Sequence, residues 1–259
     1  MKDVYVVTFH AGTGGTFLST LLYSWLSDTD LSSKPFREDV YASSHHLEDI
    51  VESNHSQIMV PGVNYRGKPC MIHSSQTQAL LFVDPIDKNK PFVIRQHFPI
   101  DLDIINDKYP DYLNFNIYFT PDDIEVVCAN MFLKNIVNTY DPDLKQNNWS
   151  YISIGHSDPR NLTIKEREFY IKRLARHLHN TQETGHHANF IKPCTLNQTI
   201  NISFAQLMTQ PEKVLNILEK GLDIPPPDHV HLLYQNYLNA NLLMLNKFCP
   251  WIDYFTQNT

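Results

Sequence analysis

Apolar positions crowd the start of the chain and then stop abruptly at a cluster of glycines. Residues 4–9, VYVVTF, are β-branched or aromatic and too few for a helix, so they predict a short buried strand. Residues 16–26, TFLSTLLYSWL, are apolar at helical spacing and predict a buried helix. The first unit is therefore strand, glycine turn, helix. PFVIRQHFP (91–99) predicts a second strand, and FNIYFTPDD (115–123) a third, closed by a Pro-Asp-Asp turn. Asp122 and Asp123 are placed there to cap the helix IEVVCANMFLKNIVN. TINISF (199–204) predicts a further strand. AQLMTQPEKVLNILEKGL reads as a helix stopped by Gly221, and DHVHLLYQNYLNANLLMLNKF (228–248) as the last helix.

Between these elements the pattern is looser. SSHHLEDIVES suggests a helix, while QIMVPG, CMIHS and ALLFVD, between 57 and 84, read as short strands or buried connections. The stretch 141–162 is rich in Asn, Asp, Ser and Pro and reads as a long loop or insertion. TIKEREFYIKRLARHLHNTQE (163–183) predicts an amphipathic helix with a basic face of Lys165, Lys172, Arg173 and Arg176. That face reads either as a solvated surface or as a grip for an anion. Strands alternating with helices predict an α/β fold, a parallel sheet flanked by helices with ligands at the strands' carboxyl ends. One domain over 1–259 is expected, with irregular insertions around 28–90 and 141–162.

Composition narrows the function classes. With 21 basic against 28 acidic residues the formal charge is −7, which excludes a global attraction to nucleic acid or to an anionic membrane. Any anion site must be local. The 13 histidines show no metal-ligand spacing with cysteines, so no metal is expected. Cys70, Cys128, Cys194 and Cys249 are scattered without a CxxC pair and read as reduced, mostly buried thiols. Asn-x-Ser/Thr triplets begin at Asn54, Asn148, Asn161, Asn197 and Asn201, as chance allows in an Asn-rich chain. No signal-peptide pattern or membrane-length apolar run is apparent, so a cytoplasmic location is expected.

The glycine turn carries the first candidate chemistry. Successive backbone N–H groups opening onto a helix N-terminus attract anions, and Gly12, Gly14 and Gly15 permit the positive φ values this needs. The Walker pattern fails because Thr16 follows Gly15 where a lysine is required. The dinucleotide pattern fails because position 17 is Phe. A tight strand-to-helix turn with no ligand is the plain alternative.

TFHAGTGGTFLSTLL resembles the 5′-phosphosulfate loop of the sulfotransferase family, which transfers sulfuryl from PAPS (3′-phosphoadenosine 5′-phosphosulfate). Aligning Gly15 and Thr16 with that loop's Gly-Thr puts Gly14 at its serine and Thr13 at its basic residue. FVIRQHFPIDL resembles the family's strand ending in Lys-Thr-His-Leu-Pro, with His97 at the general base and Arg95 at the lysine that contacts the transferring group. NIYFTPDDIEVVCANMFLK is similar to a third family segment through Pro121 and Asp123. There the family's 3′-phosphate ligands, an arginine and a serine, fall on Phe119 and Val127. INISFAQLMTQPEKVLNILEKGLDI is similar to the C-terminal strand and helix, with Ala205 replacing an acidic residue. The four segments occur in the family's order and cover about half the chain.

The resemblance implies a P-loop-like, sulfotransferase-like sheet. It implies PAPS held at Gly12, Thr13, Gly14, Gly15, Thr16 and Phe17, and catalysis by His97 and Arg95 on a small-molecule or saccharide hydroxyl. The chemistry is apt, since transfer to a hydroxyl needs a base tuned near neutrality and positive charge where oxyanions develop. Thr13 cannot supply that charge, whereas Arg95 can. Two other readings stay open: a non-catalytic binding protein on the same fold, and a kinase-like phosphotransferase with a non-Walker loop. A hydrolase triad has no support in the order of Ser, His and Asp.

Overall fold

The computed structural model describes residues 4–10, 12–26, 28, 30–32, 64–65, 68–69, 92–96, 110–140, 162–181 and 190–253. Strand β1 (Val4–Phe9) leads through the glycine turn into helix α1 (Gly15–Leu26). A two-residue pairing of β2 (Asn64–Tyr65) with β3 (Lys68–Pro69) follows. Strand β4 (Phe92–Gln96) and strand β5 (Leu113–Tyr118) come next. Beyond a 3₁₀ turn at Pro121–Asp123 lie helices α2 (Ile124–Tyr140) and α3 (Ile164–Asn180). Strand β6 (Thr199–Ser203) and helices α4 (Phe204–Thr209), α5 (Pro211–Leu222) and α6 (Asp228–Phe248) complete the order. The expected segments within 33–63, 70–91 and 141–161 lie outside the described residues.

The main sheet has four strands in the order β4-β1-β5-β6, with every neighbouring pair parallel. The molecule is thus an α/β protein with a parallel sheet flanked by helices. β1 is an inner strand, and the chain leaves it into the turn at the sheet's carboxyl edge. Gln96, the last residue of β4, pairs in register with Thr8, so β4 ends beside the turn.

The two faces of the sheet differ. Tyr5, Val7 and Phe9 share one face with Leu113, Phe115, Ile117, Ile200 and Ile202, and helices α1 and α5 close on it. The opposite face carries a row of polar side chains. The Thr8 hydroxyl lies 3.2 Å from Asn114 Oδ1 and 3.1 Å from Asn116 Oδ1, and its one proton serves either acceptor. Asn114 Nδ2 donates to Thr199 Oγ1, and Asn116 Nδ2 to Asn201 Oδ1 at 2.9 Å. Asn201 then bonds both backbone groups of Cys194. Thr8, Asn114 and Asn116 are buried. Parallel strands are ordinarily apolar on both faces, and burial of this row costs little only because its members satisfy one another.

Helix boundaries follow local chemistry, with one correction. Asp123 Oδ2 accepts from the N–H and hydroxyl of Thr120, so it tightens the turn into α2 as a capping residue does. The segment 204–222 is not one helix stopped at Gly221. It breaks at Gln210, before Pro211, and α5 ends with Asp223 in the left-handed conformation (φ 56°). Gly221 sits inside α5, where a side chain would press on Ile200 and Leu113. Its small size admits close helix–sheet packing rather than ending the helix. Cys128 and Cys249 are buried free thiols, and Cys194 is half-buried.

Candidate functional site

Each glycine of the turn answers to a specific close approach. Gly12 (φ 86°) and Gly14 (φ 81°) adopt the left-handed region, where L side chains are strained. A Cβ on Gly12 would meet the Val127 carbonyl and Met131 of α2. On Gly14 it would lie 3.0 Å from Leu207 of α4 and 3.1 Å from the Tyr237 hydroxyl of α6. On Gly15 it would enter the ring of Phe9. Four elements thus converge on the turn, which the absence of side chains lets them approach.

The residues between the glycines point inward. Thr13 is fully buried and donates its hydroxyl to the His10 carbonyl at 2.6 Å, reinforcing its own N–H bond to that oxygen at 3.2 Å. Thr16 is buried at the start of α1. Phe17 lies against Tyr237 and meets Tyr234 edge-on at 5.0 Å. Asn130 of α2 donates Nδ2 to the Gly12 carbonyl at 3.1 Å, and Asn241 of α6 donates to Asn130 Oδ1 at 3.4 Å. A line of amides from α6 through α2 therefore holds the turn from behind.

Gly12 and Gly14 alone, among the turn's described residues, keep appreciable exposure. The first helical bond of α1 runs from Leu18 N–H to Gly14 O. The N–H groups of Gly15, Thr16 and Phe17 consequently stand at the helix's open end, without intrahelical acceptors. The partial positive charge there favours an anion. Thr13 contributes nothing to such a site through its hydroxyl, which is already committed to His10.

His10 was not legible as a site residue. It is the first residue after β1, and its buried ring lies edge-on to Phe119 at 5.3 Å and to Phe190 at 6.0 Å. The Phe119 N–H bonds the Phe190 carbonyl at 2.8 Å, which fixes that aromatic clamp. The only hint in the sequence is a histidine between a strand and a glycine turn. Arg95 belongs to β4 and pairs in register with Val7, whereas His97 lies outside the described residues.

Phe119 and Val127 are both buried, the former in the clamp around His10 and the latter with its carbonyl against Gly12. Among the described residues, no three His, Cys, Asp or Glu side chains gather as metal ligands, and no helix is long and apolar enough to cross a membrane. The class that fold and site define is an α/β protein with a glycine turn at the carboxyl edge of a parallel sheet. No known family model matches the chain, and no curated protein matches it significantly.

Proposed function

We propose that the chain is a sulfotransferase-like protein whose β1–α1 turn holds the phosphate or sulfate of a ligand. Backbone N–H groups at Gly14, Gly15, Thr16 and Phe17 make the grip, and Gly12 shapes the approach. The carrying observation is the pair of positive-φ glycines opening onto the start of α1 at the sheet's carboxyl edge. In this reading the acceptor is a hydroxyl of a small molecule or saccharide. His97 takes the hydroxyl proton, and Arg95 supplies positive charge from the strand beside β1. The register of β4 on β1 supports that assignment, because Gln96 ends level with Thr8.

PAPS, the donor implied by the resemblance, fits the site only in part. Its 5′ end suits a backbone cradle. Its 3′-phosphate does not suit Phe119 and Val127, which are buried, apolar and already packed. Those positions offer a 3′-phosphate no charge and no side-chain donor. The same observation favours a second reading, a binding protein on this fold that has lost the donor's 3′ contacts.

Calorimetry with 3′,5′-ADP, 5′-AMP and ATP tests the proposal. Binding of 5′-AMP within about tenfold of 3′,5′-ADP, a difference near 1.4 kcal/mol, is the expected result. No affinity for any of the three overturns the anion site. Where binding is found, His97→Ala is expected to abolish transfer and leave affinity intact. Binding with no transfer to any hydroxyl acceptor assigns the chain to the second reading.

A further inference from the structure

Helix α3 turns two different faces outward and inward. Its buried residues, Ile171 and Leu178, face the protein, where the helix packs along α2. At 100° per residue, Lys165, Phe169, Lys172, Arg173 and Arg176 fall on the opposite side. Together with Glu168 they line a depression of about 490 Å³ that extends about 16 Å along the helix.

Among the described residues, Lys172 alone on this face has an ion-pair partner, Glu168 one turn earlier at 2.6 Å. Lys165, Arg173 and Arg176 form no ion pair with a carboxylate among the described residues. Phe169 is 61% exposed, touching Tyr170 edge-on at 5.7 Å. Phe169 is the most exposed of the large apolar side chains among the described residues, and it stands among cations that have no ion-pair partner there.

We propose that this face of α3 is a docking surface for an acidic peptide segment of a partner protein that carries an apolar side chain among its carboxylates. Charge complementarity is the first argument: carboxylates pair with Lys165, Arg173 and Arg176, the arginines by two-pronged hydrogen bonds. Phe169 is the second, because it offers an apolar contact that the peptide's own apolar side chain covers. Glu168 is the third. It places a negative charge within the stripe, which a mixed acidic peptide skirts and a continuous polyanion meets at every register. Finally, the net charge of −7 repels any nucleic acid or anionic bilayer that reaches beyond the stripe. The site stands apart from the β1–α1 turn and does not depend on the function proposed for it.

The test uses the full chain and a short fluorescein-labelled amphipathic peptide with glutamates around a single leucine on one face. A counterpart with glutamine at each glutamate serves as control. Fluorescence anisotropy is expected to show binding of the glutamate peptide alone, weakening as salt rises. Arg173→Glu with Arg176→Glu is expected to weaken it at least about tenfold, and Phe169→Ala about threefold to tenfold. Those residues are exposed, so an unchanged melting temperature shows that the variants fold. Failure to bind the glutamate peptide, equal binding of both peptides, or indifference to the arginine changes overturns the proposal. Tighter binding of a single-stranded oligonucleotide or of anionic vesicles than of the peptide does so as well.

Discussion

The ring of Phe17 lies flat on that of Tyr237, with centroids 3.8 Å apart and planes 3° from parallel. The contact ties the first turn of α1 to the middle of α6, and Tyr237 also closes on Gly14. The last helix therefore sets the position of the turn. Truncating either ring to alanine is expected to cost about 3–5 kcal/mol. The double variant should cost less than the sum of the two, by about 1 kcal/mol, because the rings share one contact. Urea denaturation of the two single variants and the double variant measures this. Strict additivity would mean that the rings are held independently.

Two closely packed glycines should respond differently to alanine. At Gly15 the new methyl enters the ring of Phe9, a rigid obstacle in an inner strand, and a loss of about 2–3 kcal/mol is expected. At Gly221 it meets the terminal methyl of Ile200, which can change rotamer. The gain in helix propensity, about 1 kcal/mol, offsets much of that strain. Thermal unfolding should show a large drop for Gly15→Ala and a small change for Gly221→Ala. The reverse order would contradict the assigned packing.

Asn130 is predicted to act on the turn without touching a ligand. Asn130→Ala removes the donor to the Gly12 carbonyl and the acceptor of the Asn241 Nδ2 bond, at an expected cost of about 1–3 kcal/mol. Amide hydrogen exchange should accelerate first at residues 12–17. An unchanged exchange pattern there would show that the amide line does not hold the turn.

Stability should decline in alkali. Burial raises the Cys249 thiol to about 12, with Arg167 opposing the rise, and raises the Cys128 thiol and the Tyr234 and Tyr237 phenols as well. Each group keeps its proton to a higher pH in the folded protein than in the unfolded chain. The unfolded chain thus ionises first. Their stabilising contribution is complete below the unfolded thiol value near pH 8.5, and it is lost as pH rises toward the folded values. The slope approaches 1.4 kcal/mol per pH unit for each group ionised only when unfolded. Urea midpoints measured from neutrality into this range should fall, and less steeply in Cys249→Ala. A flat profile would contradict the burial of these groups.

The turn between β1 and α1 was legible because glycines and strand residues act locally. The starts of α2 and α3 were legible for the same reason, since Thr120 with Asp123 and Thr163 with Glu166 are neighbours in sequence. Asn114 and Asn116 alternate with apolar residues along β5, yet the strand is buried. Only pairing with Thr8 and Asn201, distant in sequence, makes that burial tolerable. Gly221 misled because a glycine late in a helix signals a stop, and the competing demand of packing on Ile200 has no local signature. Thr13 appeared free to offer its hydroxyl to a ligand. A carbonyl three residues earlier had already claimed it, which depends on the chain folding back at Gly12. His10 and its clamp rest on Phe190, brought close by the fold alone.

The central claim is that backbone N–H groups of the turn hold an anion. With only eight glycines in the chain, selective ¹⁵N-glycine labelling gives a simple spectrum, and ¹³C-carbonyl labelling of the preceding residue (Ala11, Thr13 or Gly14) picks out Gly12, Gly14 and Gly15 in turn. Titration with 5′-AMP or 3′,5′-ADP is predicted to move the Gly14 and Gly15 amide resonances most, saturating with the affinity found by calorimetry. A titration that leaves those two resonances still, whether or not other glycines move, would contradict the account.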